Sequence, residues 1–281
     1  MEDCILKINL LVFIALTVFY LYQMIYIVVV LFQKRKEKDR TPAALHRFGV
    51  VIAARNESMV IGNLLRSIKN QTYPAELIDI FVVADNCTDN TAEIAQQEGA
   101  VVYQRVNRQQ VGKGYALDFA FHHIAQGYGS SYHDAFFVFD ADNLLDPHYI
   151  EEMNRVFCQG YPVITSYRNS KNYGTNWITA GYSLWFLREA KYLNNARMIL
   201  GTNCAISGTG FLISSEIVRK YDGWKFHLLT EDIEFSIASA IEGDRIGYCE
   251  KAILYDEQPE TFRQSWTQRL RWSKGFYQVV W

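Results

Sequence analysis

The chain has 281 residues, of which 28 are basic and 30 acidic, so its formal net charge is -2. This length suits one large α/β domain of roughly 200 to 250 residues with a short appendage. So small a net charge provides no field that would hold a polyanion, which argues against nucleic acid as a partner. The five scattered cysteines lack C-x-x-C spacing, which argues against a zinc or redox site and favours reduced thiols in a cytosolic domain.

An uncharged, largely apolar segment runs from Ile8 to Phe32. As a helix it extends about 37 Å, enough to cross a bilayer with some tilt. A cleaved signal peptide has a shorter apolar stretch, and basic residues follow this one directly: Lys34, Arg35, Lys36, Lys38 and Arg40. We therefore expect a transmembrane anchor over residues 1–33, a basic linker over 34–46 and, by the positive-inside rule, a cytosolic domain beyond them at the cell membrane.

Beyond the linker, short runs of β-type residues alternate with longer segments of helical periodicity. This alternation is typical of an α/β domain with a doubly wound, mainly parallel sheet, here over residues 47–260. Strands are predicted near 49–54, 78–84, 100–104, 135–140 and 162–167, and helices over 58–70, 88–98, 113–126 and 147–158. Ligands of such sheets bind beyond the carboxyl ends of the strands, so polar residues that follow a strand are the functional candidates.

The first two strands both end in such candidates. Arg55 and Glu57 follow the first strand, although charged residues in loops are often merely solvated. Asp85 ends the second strand, where its carboxylate can accept a hydrogen bond from the imide N–H of uracil. Thr88 and Asp89, which come next, are interpreted as caps of the following helix.

The third predicted helix begins with the sequence G-K-G (112–114), in which Lys113 can meet a phosphate, although the full phosphate-loop pattern is missing. The strongest local signal is the pair Asp140 and Asp142 at the end of the fourth strand. Alternate residues of an extended chain point the same way, so the two carboxylates can hold Mg²⁺ or Mn²⁺ and leave coordination sites for a diphosphate. The alternative is a solvated turn before a helix that Asp146 caps.

Thr230, Glu231 and Asp232 precede an apolar-periodic segment and therefore occupy the start of a helix. A helix N terminus favours ionised carboxylates, which would keep Asp232 able to accept a proton. Ordinary capping by Thr230, with two acidic residues in the first turn, is the alternative interpretation.

The last predicted helix covers residues 261–281 and has two faces. Its apolar wedge suits a membrane surface or a groove on the domain and consists of Phe262, Trp266, Leu270, Tyr277 and Val280. On another side, Gln268, Arg271 and Trp272 group an amide, a guanidinium and an indole. This patch can bind a diphosphate and stack a sugar ring, or it can pack against the core.

In chain order these motifs resemble the family 2 glycosyltransferases, in particular the processive branch with cellulose, chitin and hyaluronan synthases. The motifs are A-R-N-E (54–57), A-D-N-C-T-D (84–89), G-K-G (112–114), D-A-D (140–142), T-E-D (230–232) and Q-R-L-R-W (268–272). The resemblance implies a GT-A fold, which is a Rossmann-like nucleotide-sugar-binding domain. It implies as partners a UDP-sugar, a divalent cation (Mg²⁺ or Mn²⁺), a carbohydrate or lipid-linked acceptor, and the membrane.

Carried over by position, the resemblance also implies roles for individual residues. The donor-binding set is Ala54, Arg55, Glu57, Asp85, Lys113, Asp140 and Arg271. In this set Asp85 would contact uracil, Lys113 the phosphate and Asp140 the nucleotide sugar. Asp142 would hold the metal, and the catalytic set is Asp232, as general base, together with Asp140. The acceptor-binding set is Glu231, Gln268 and Trp272.

The implied reaction is an inverting transfer of a hexose or N-acetylhexosamine from a UDP-sugar to a growing β-linked polysaccharide. Two alternatives remain open: transfer of one sugar to a lipid-linked acceptor, and a catalytically silent membrane scaffold. Residues 166–189 and the turn at 207–210 are expected to border the acceptor. Processive relatives continue with further membrane helices, whereas this chain ends nine residues after Trp272, so we expect the natural chain to continue.

Overall fold

The computed structural model describes residues 2–33 and 43–280. The basic residues on which the topology prediction depends, at 34–40, lie outside the described residues, as does most of the predicted linker. The strands of the described part are β1 (Phe48–Ala54), β2 (Ile78–Asp85), β3 (Val101–Arg105), β4 (Ala135–Asp140), β5 (Leu144–Leu145), β6 (Val163–Ser170), β7 (Phe211–Ser214) and β8 (Ile246–Asp256).

Ten α-helices lie in the described ranges. They are α1 (Glu2–Phe32), α2 (Ile61–Lys69), α3 (Thr91–Gln97), α4 (Lys113–Tyr128), α5 (Tyr149–Phe157), α6 (Trp177–Leu187), α7 (Asn195–Leu200), α8 (Ser215–Lys220), α9 (Glu231–Ile241) and α10 (Phe262–Val280). A short 3₁₀ turn, Ala75–Leu77, precedes β2, and a π-helical segment, Arg188–Asn194, joins α6 to α7.

The strands form one eight-stranded sheet in the order β3-β2-β1-β4-β7-β6-β8-β5. The first four strands in this order are parallel, as the alternation of strands and helices predicts. β7 is antiparallel to both of its neighbours, β4 and β6, and β5 is antiparallel to β8. The sheet is therefore mixed, because β5 and β7 run opposite to the strands beside them.

Two hydrophobic layers cover the sheet, one on each face. Val50 and Ile52 of β1 belong to the layer that contacts α2 and α5, whereas Val51 belongs to the layer that contacts α4. All three side chains are fully buried. Burial on both faces explains why β1 reads as a continuous apolar run, and it stabilises the fold by roughly 1.5–3 kcal/mol for each such side chain.

The start of three helices differs from the prediction by two or three residues. α2 begins at Ile61 rather than at residue 58, because the carbonyl of Glu57 first closes a turn by accepting hydrogen bonds from Val60 and Ile61. α3 begins at Thr91 rather than at residue 88, and α5 at Tyr149 rather than at 147. In each case polar residues before the helix make turn or loop hydrogen bonds, which is what such residues favour.

Gly210 allows the chain just before β7 to approach Leu254 of β8 closely. Its φ is 67°, and a Cβ placed on it would lie 1.7 Å from Cδ2 of Leu254. We expect Gly210→Ala to lower the free energy of unfolding by about 2 to 6 kcal/mol, because it adds both backbone strain and overpacking. Gly127, inside α4, has no neighbour within 4 Å of such a Cβ, so Gly127→Ala should stabilise the chain by about 0.5–1 kcal/mol. Urea unfolding of both variants measures the difference, and equal effects would contradict this account.

Helix α1 has an exposed part and a docked part. Residues 3–22 are all exposed, whereas Gln23, Tyr26, Ile27, Val29 and Val30 are half-buried against the π-helical segment and α7. Among the described residues, Asp3–Phe32 is the one stretch with the length and composition to cross a membrane. An N-terminal apolar helix of this kind fits a membrane anchor.

Candidate active site

The loops that follow β1 and β2 are tied together at the carboxyl edge of the sheet. The side-chain oxygen of Asn56 accepts a hydrogen bond from the Thr88 amide at 2.8 Å. Asp89 accepts hydrogen bonds from the amides of Ser58 and Thr91, at 3.2 and 3.1 Å. Hydrogen bonds, first that of the Thr91 hydroxyl, lower the pKa of Asp89 to about 2. Thr88 and Asp89, predicted as helix caps, instead cross-link two loops, because the N-cap residue of α3 is Asn90.

Asp85 ends β2 in a buried ion pair that the sequence did not reveal. Arg105 donates to Asp85 Oδ1 at 2.7 Å, and their side chains are only 6% and 7% exposed. The two residues are register partners at the ends of β3 and β2, so the pair closes that corner of the sheet. Asn86 donates a second hydrogen bond to the same carboxylate at 3.0 Å. Arg105 and Asn86 therefore fix the Asp85 carboxylate at the base of the corner where a nucleobase is predicted to bind.

The three other residues of the first motif differ in their surroundings. Ala54 is buried at the end of β1, and Arg55 is exposed, with no hydrogen bond or ion pair to the part of the chain that the structure describes. Glu57 is half-buried, and burial, followed by the charge of Asp140, raises its pKa. Glu57 therefore belongs to the same electrostatic cluster as the D-A-D motif.

Lys113 is held between the D-A-D motif and a glycine turn. Its Nζ atom donates to Asp140 Oδ1 at 2.5 Å and to the carbonyl of Gly208 at 2.7 Å. Burial alone would lower the pKa of Lys113, but Asp140 and then Glu231 more than reverse this, and its pKa is raised. The adjacent Gly114 serves packing, because a Cβ there would lie 2.0 Å from a carbonyl oxygen of the loop before α9.

The chain around Asp140 is fixed by buried polar side chains. The backbone amide of Asp140 donates to the Thr209 hydroxyl at 2.8 Å and to Asn143 Oδ1 at 3.2 Å. Asn143 also donates to Asp256 Oδ1 at 3.0 Å. Because Thr209 and Asn143 are almost fully buried, they hold the D-A-D turn at the edge of β4 in one conformation.

Behind Asp142 lies a second buried ion pair. Asp256, the last residue of β8, accepts two hydrogen bonds from Arg168, of which the Nε bond is 2.8 Å long. Arg168 was expected to border the acceptor, but its guanidinium is committed to Asp256 and to the carbonyl of Ser207 at 3.0 Å. Arg168 therefore supports the floor of the site.

The carboxylates near Asp142 carry more negative charge than the nearby cations offset. Burial raises the pKa of Asp142 to about 7, and the charges of Asp256 and Asp140 contribute further. In the described ranges no three His, Cys, Asp or Glu side chains are grouped to hold a metal ion. Mg²⁺ usually takes only one or two carboxylates and completes its shell with water and phosphate oxygens. Asp140 and Asp142 fit such a cation in donor type and in their excess charge.

Glu231 and Asp232 lie in the first turn of α9 and face the same region. Burial raises the pKa of Glu231 to about 7, and burial also raises that of Asp232. A Cβ placed on Gly208 would lie 3.6 Å from Asp232 Oδ2, so this carboxylate borders the glycine whose carbonyl binds Lys113. The turn at Gly208, with φ 74°, thus separates the lysine from the carboxylate predicted to be the base.

Helix α10 closes the other side of α9. A Cβ on Gly275 would lie 2.5 Å from Cγ2 of Thr230, so the two helices touch at the T-E-D motif. Trp272 packs edge-on against Tyr182 and Phe186 of α6, with ring centroids 5.9 and 6.4 Å apart. The indole of Trp272 therefore packs against the core, which is one of the two roles that the sequence predicted for it.

Gln268 and Arg271 of the same helix have different environments. The side-chain oxygen of Gln268 is buried and has no hydrogen-bond partner among the described residues, so it can accept a bond from a bound molecule. Arg271 is exposed and makes no ion pair within the described ranges. The structure therefore brings Glu57, Lys113, Asp140, Asp142 and Asp232 into one cluster, and it leaves Arg55 and Arg271 outside its hydrogen-bond network.

Comparison with known proteins identifies the class to which this fold and site belong. The sequence profile described as "Glycosyltransferase like family 2" matches residues 46–275. The chain therefore belongs to the family 2 glycosyltransferases.

Curated relatives match most of the chain. It is 28% identical over 258 residues to a probable glycosyltransferase, YdaM, of Bacillus subtilis, with 84% of this chain and 56% of that protein covered. It is 25% identical to a beta-monoglucosyldiacylglycerol synthase of Synechocystis, with 82% and 47% covered. It is also 25% identical to a poly-beta-1,6-N-acetyl-D-glucosamine synthase of Staphylococcus aureus, with 87% and 58% covered. The chain thus spans about half the length of these relatives.

A solved structure shares the fold. The mannosyltransferase PcManGT of Pyrobaculum calidifontis, in complex with GDP-Man and Mn²⁺, superposes with a TM-score of 0.67 at 17% identity, covering 95% of this chain and 73% of that one. The fold is therefore GT-A, as the resemblance implied, and its neighbours bind nucleotide sugars.

Proposed function

We propose that this chain is an inverting, metal-dependent glycosyltransferase anchored in the membrane. It would transfer a hexose or N-acetylhexosamine from a UDP-sugar to a growing β-linked polysaccharide. The proposal rests on one observation: Lys113, Asp140 and Asp232 lie close together around Gly208, at the carboxyl ends of the strands. These three groups supply a cation for phosphate, an oxygen ligand and a base, which the reaction requires together.

In the proposed mechanism each side chain has one task. Asp85, held by Arg105, receives the uracil imide, and Lys113 binds the diphosphate. Asp140 and Asp142 would hold a divalent cation, which neutralises negative charge on the departing nucleotide when it is bound. Ala54, Arg55, Glu57 and Arg271 complete the donor side.

The acceptor would enter from the side of α9 and α10. Asp232, buried beside Gly208, takes the proton of the acceptor hydroxyl as that oxygen attacks the anomeric carbon from the face opposite the diphosphate. One base and one leaving group suffice for inversion. Glu231, Gln268 and Trp272 would bind the acceptor, and the unpartnered oxygen of Gln268 supports that role.

The exposed surface supports membrane attachment at the C-terminal helix too. α10 buries Ser265 and Gly275, whereas its aromatic face, predicted as an apolar wedge, points outwards. The exposed members are Phe262, Trp266, Leu270, Tyr277 and Val280. A helix that turns its apolar face outwards suits a membrane surface. We accordingly propose an anchor at 1–33, a basic linker at 34–46, a cytosolic catalytic domain at 47–260 and an interface helix at 261–281.

A second candidate acceptor is a single lipid-linked hydroxyl. The apolar exposed face of α10 lies on the same helix as Trp272 and Gln268, so a lipid acceptor would meet the site from the membrane. The relatives include both a poly-N-acetylglucosamine synthase and a glucosyldiacylglycerol synthase, which use these two kinds of acceptor by name.

Sizing the products from a panel of UDP-sugars tests the proposal. Membranes that contain the chain are offered each UDP-sugar with Mn²⁺ or Mg²⁺. A ladder of long products supports the polysaccharide acceptor, and a single-sugar glycolipid supports the lipid acceptor. Binding of UDP without transfer from any donor would favour the silent scaffold and contradict both.

Lys113→Met should weaken UDP binding roughly 10- to 100-fold, because a charge-assisted hydrogen bond to a phosphate is worth about 1.5–3 kcal/mol. Methionine keeps the length of the side chain but removes its charge and its donors. Lys251→Met, at an exposed position of β8, is the matched control and should leave affinity unchanged. Calorimetric titration with UDP measures both variants, and equal affinities would remove Lys113 from the donor site.

A further inference from the structure

Helix α6 has an apolar composition on every side, yet one of its faces is exposed. Its sequence WITAGYSLWFL contains no charged residue. The buried face carries Thr179, Tyr182 and Phe186. The opposite face carries Trp177, Leu184 and Trp185, which are 77%, 56% and 56% exposed. A helix that is apolar all round is normally buried on all sides. The exposed face of α6 therefore indicates a contact with an apolar partner.

The position of α6 relative to α1 indicates which apolar partner this is. The guanidinium of Arg188, one residue after α6, lies 5.1 Å from the centroid of the Trp185 ring. The same guanidinium donates a hydrogen bond to the side-chain oxygen of Gln23 in α1. Trp185, Arg188 and Gln23 therefore lie at one level along α1.

That level matches the boundary of a bilayer. The 20 residues 3–22 of α1 are exposed throughout, and at 1.5 Å per residue they extend about 30 Å, which is the thickness of the hydrocarbon core. From Gln23 onwards α1 docks on the π-helical segment and α7. Tyr20 and Tyr22 stand just before the docked part, where aromatic residues of membrane proteins concentrate.

The charged residues near Trp185 indicate that this part of the chain lies outside the hydrocarbon core of the bilayer. Arg188 and the exposed Lys191 belong to the π-helical segment, and a charged side chain is costly in the bilayer centre. Trp and Arg side chains are stable together in the headgroup layer, where an apolar body and a polar tip are both accommodated. All 31 residues of α1 extend about 46 Å, close to the thickness of a bilayer with its headgroups.

We propose that α6 is a second membrane contact, which lies in the headgroup layer of the bilayer with Trp177, Leu184 and Trp185 towards the lipid. The inference rests on the membrane anchor of the proposed function and extends the membrane contact from α1, which ends at Phe32, to α6, which begins at Trp177. It also places the acceptor side of the site close to lipid, because Tyr182 and Phe186, on the buried face of α6, hold Trp272.

Spin labels on the full chain in phosphatidylcholine/phosphatidylglycerol vesicles test this placement. Cys4, Cys87, Cys158, Cys204 and Cys249 are first replaced by serine or alanine. Single cysteines are then introduced by Leu184→Cys, by Trp177→Cys and, as a control at an 88%-exposed residue remote from α6 in sequence, by Met59→Cys. Collisions of each label with oxygen, which partitions into lipid, are compared with collisions with a water-soluble nickel chelate.

The ratio of oxygen to nickel collisions should be severalfold higher for Leu184→Cys and Trp177→Cys than for Met59→Cys. An equal, water-like ratio would overturn the proposal, and so would shielding from both reagents, which indicates a protein partner instead of lipid. Two labels on α1 check the boundary: Ile14→Cys should have a higher ratio than Leu31→Cys, and the reverse order would also overturn it.

Sugar transfer and UDP binding are measured on the same vesicles, so that failure of the proposed function can be distinguished from failure of the α6 placement. A lipid-exposed Leu184→Cys label without transfer would contradict the proposed function and leave the α6 placement standing. Transfer with a water-exposed label would contradict the placement alone. Where the cysteine-free background fails to fold, quenching of tryptophan fluorescence in the native background by phospholipids brominated near the headgroup replaces the spin labels. The quenched fraction should fall in Trp177→Phe and Trp185→Phe and not in Trp224→Phe, at a fully buried residue; unchanged quenching in the two α6 variants would overturn the proposal.

Discussion

Asp232→Asn should reduce sugar transfer by roughly 10²- to 10⁴-fold, which is the usual contribution of a positioned general base. Asparagine keeps the shape of the side chain but cannot take a proton at neutral pH. UDP affinity should be almost unchanged, because Lys113, Asp85 and the D-A-D motif remain. Initial rates with the best donor of the panel, together with UDP titration, measure the two effects.

The matched control for this change is Asp222→Asn, at an exposed turn where the residue already has φ 52°, a conformation that asparagine tolerates. It should leave the rate unchanged. Retained transfer in Asp232→Asn would remove this carboxylate as the base. Burial raises the pKa of Asp232, and only the ionised form can accept a proton, so the native rate should fall as the pH is lowered through that raised value.

Asp142→Asn should reduce transfer by roughly 10²- to 10³-fold and remove most of the response to added Mn²⁺ or Mg²⁺. Neutralising charge on the leaving group is worth several kcal/mol, and each 1.36 kcal/mol is a tenfold change in rate. Activity is measured across a titration of each cation after chelator treatment. A variant with the native cation dependence would show that the ion, if required, binds elsewhere.

The same carboxylate gives a stability test with a defined sign. The pKa of Asp142 is about 7 in the folded chain, against an ordinary value of 3.8. Between these values the folded state binds the proton more strongly than the unfolded state, so stability without a cation should fall as the pH rises from about 4 to 7. Mn²⁺ should restore Tm at pH 7.5 in the native chain and not in Asp142→Asn. An equal rise in both chains would contradict a metal site at Asp142.

The parts of the fold that the sequence predicts are those in which a local pattern reflects burial. β1, β4 and the stretch 80–84 of β2 are continuous apolar runs because both of their faces are covered, and each run ends where polar residues begin. The positions of Asp85 and Asp140 at strand ends could therefore be inferred. The start of α9 at Glu231 was predicted for the same kind of reason, since apolar periodicity begins at Ile233, directly after the T-E-D motif.

Other elements have patterns that do not indicate their structure. α6 is apolar all round and has no single stripe, so its residues were interpreted only as a border of the acceptor. β8 carries the exposed pair Glu250 and Lys251 in its middle, next to a register shift in its pairing with β6. Short runs interrupted in this way do not show the regular alternation on which a strand prediction depends.

The supporting ion pairs of the site were missed for a different reason. Arg168 and Asp256 are 88 residues apart, and Arg105 and Asp85 are 20 apart, so no helical or strand period links them. One signal was present nonetheless: Asp256 ends a strand at the same edge of the sheet as the predicted acids. The rule that drew attention to Asp85 and Asp140 would have included Asp256 if β8 had been recognised.

The ammonium group of Lys113 has three hydrogens, and two of them already have acceptors, Asp140 and the Gly208 carbonyl. The third remains for an incoming oxyanion. A phosphate would therefore bind a Lys113 side chain that is already fixed in position in the folded chain. The conformational entropy of this lysine, about 0.5–1.5 kcal/mol for a flexible side chain, is thus lost before the ligand arrives and does not weaken its affinity.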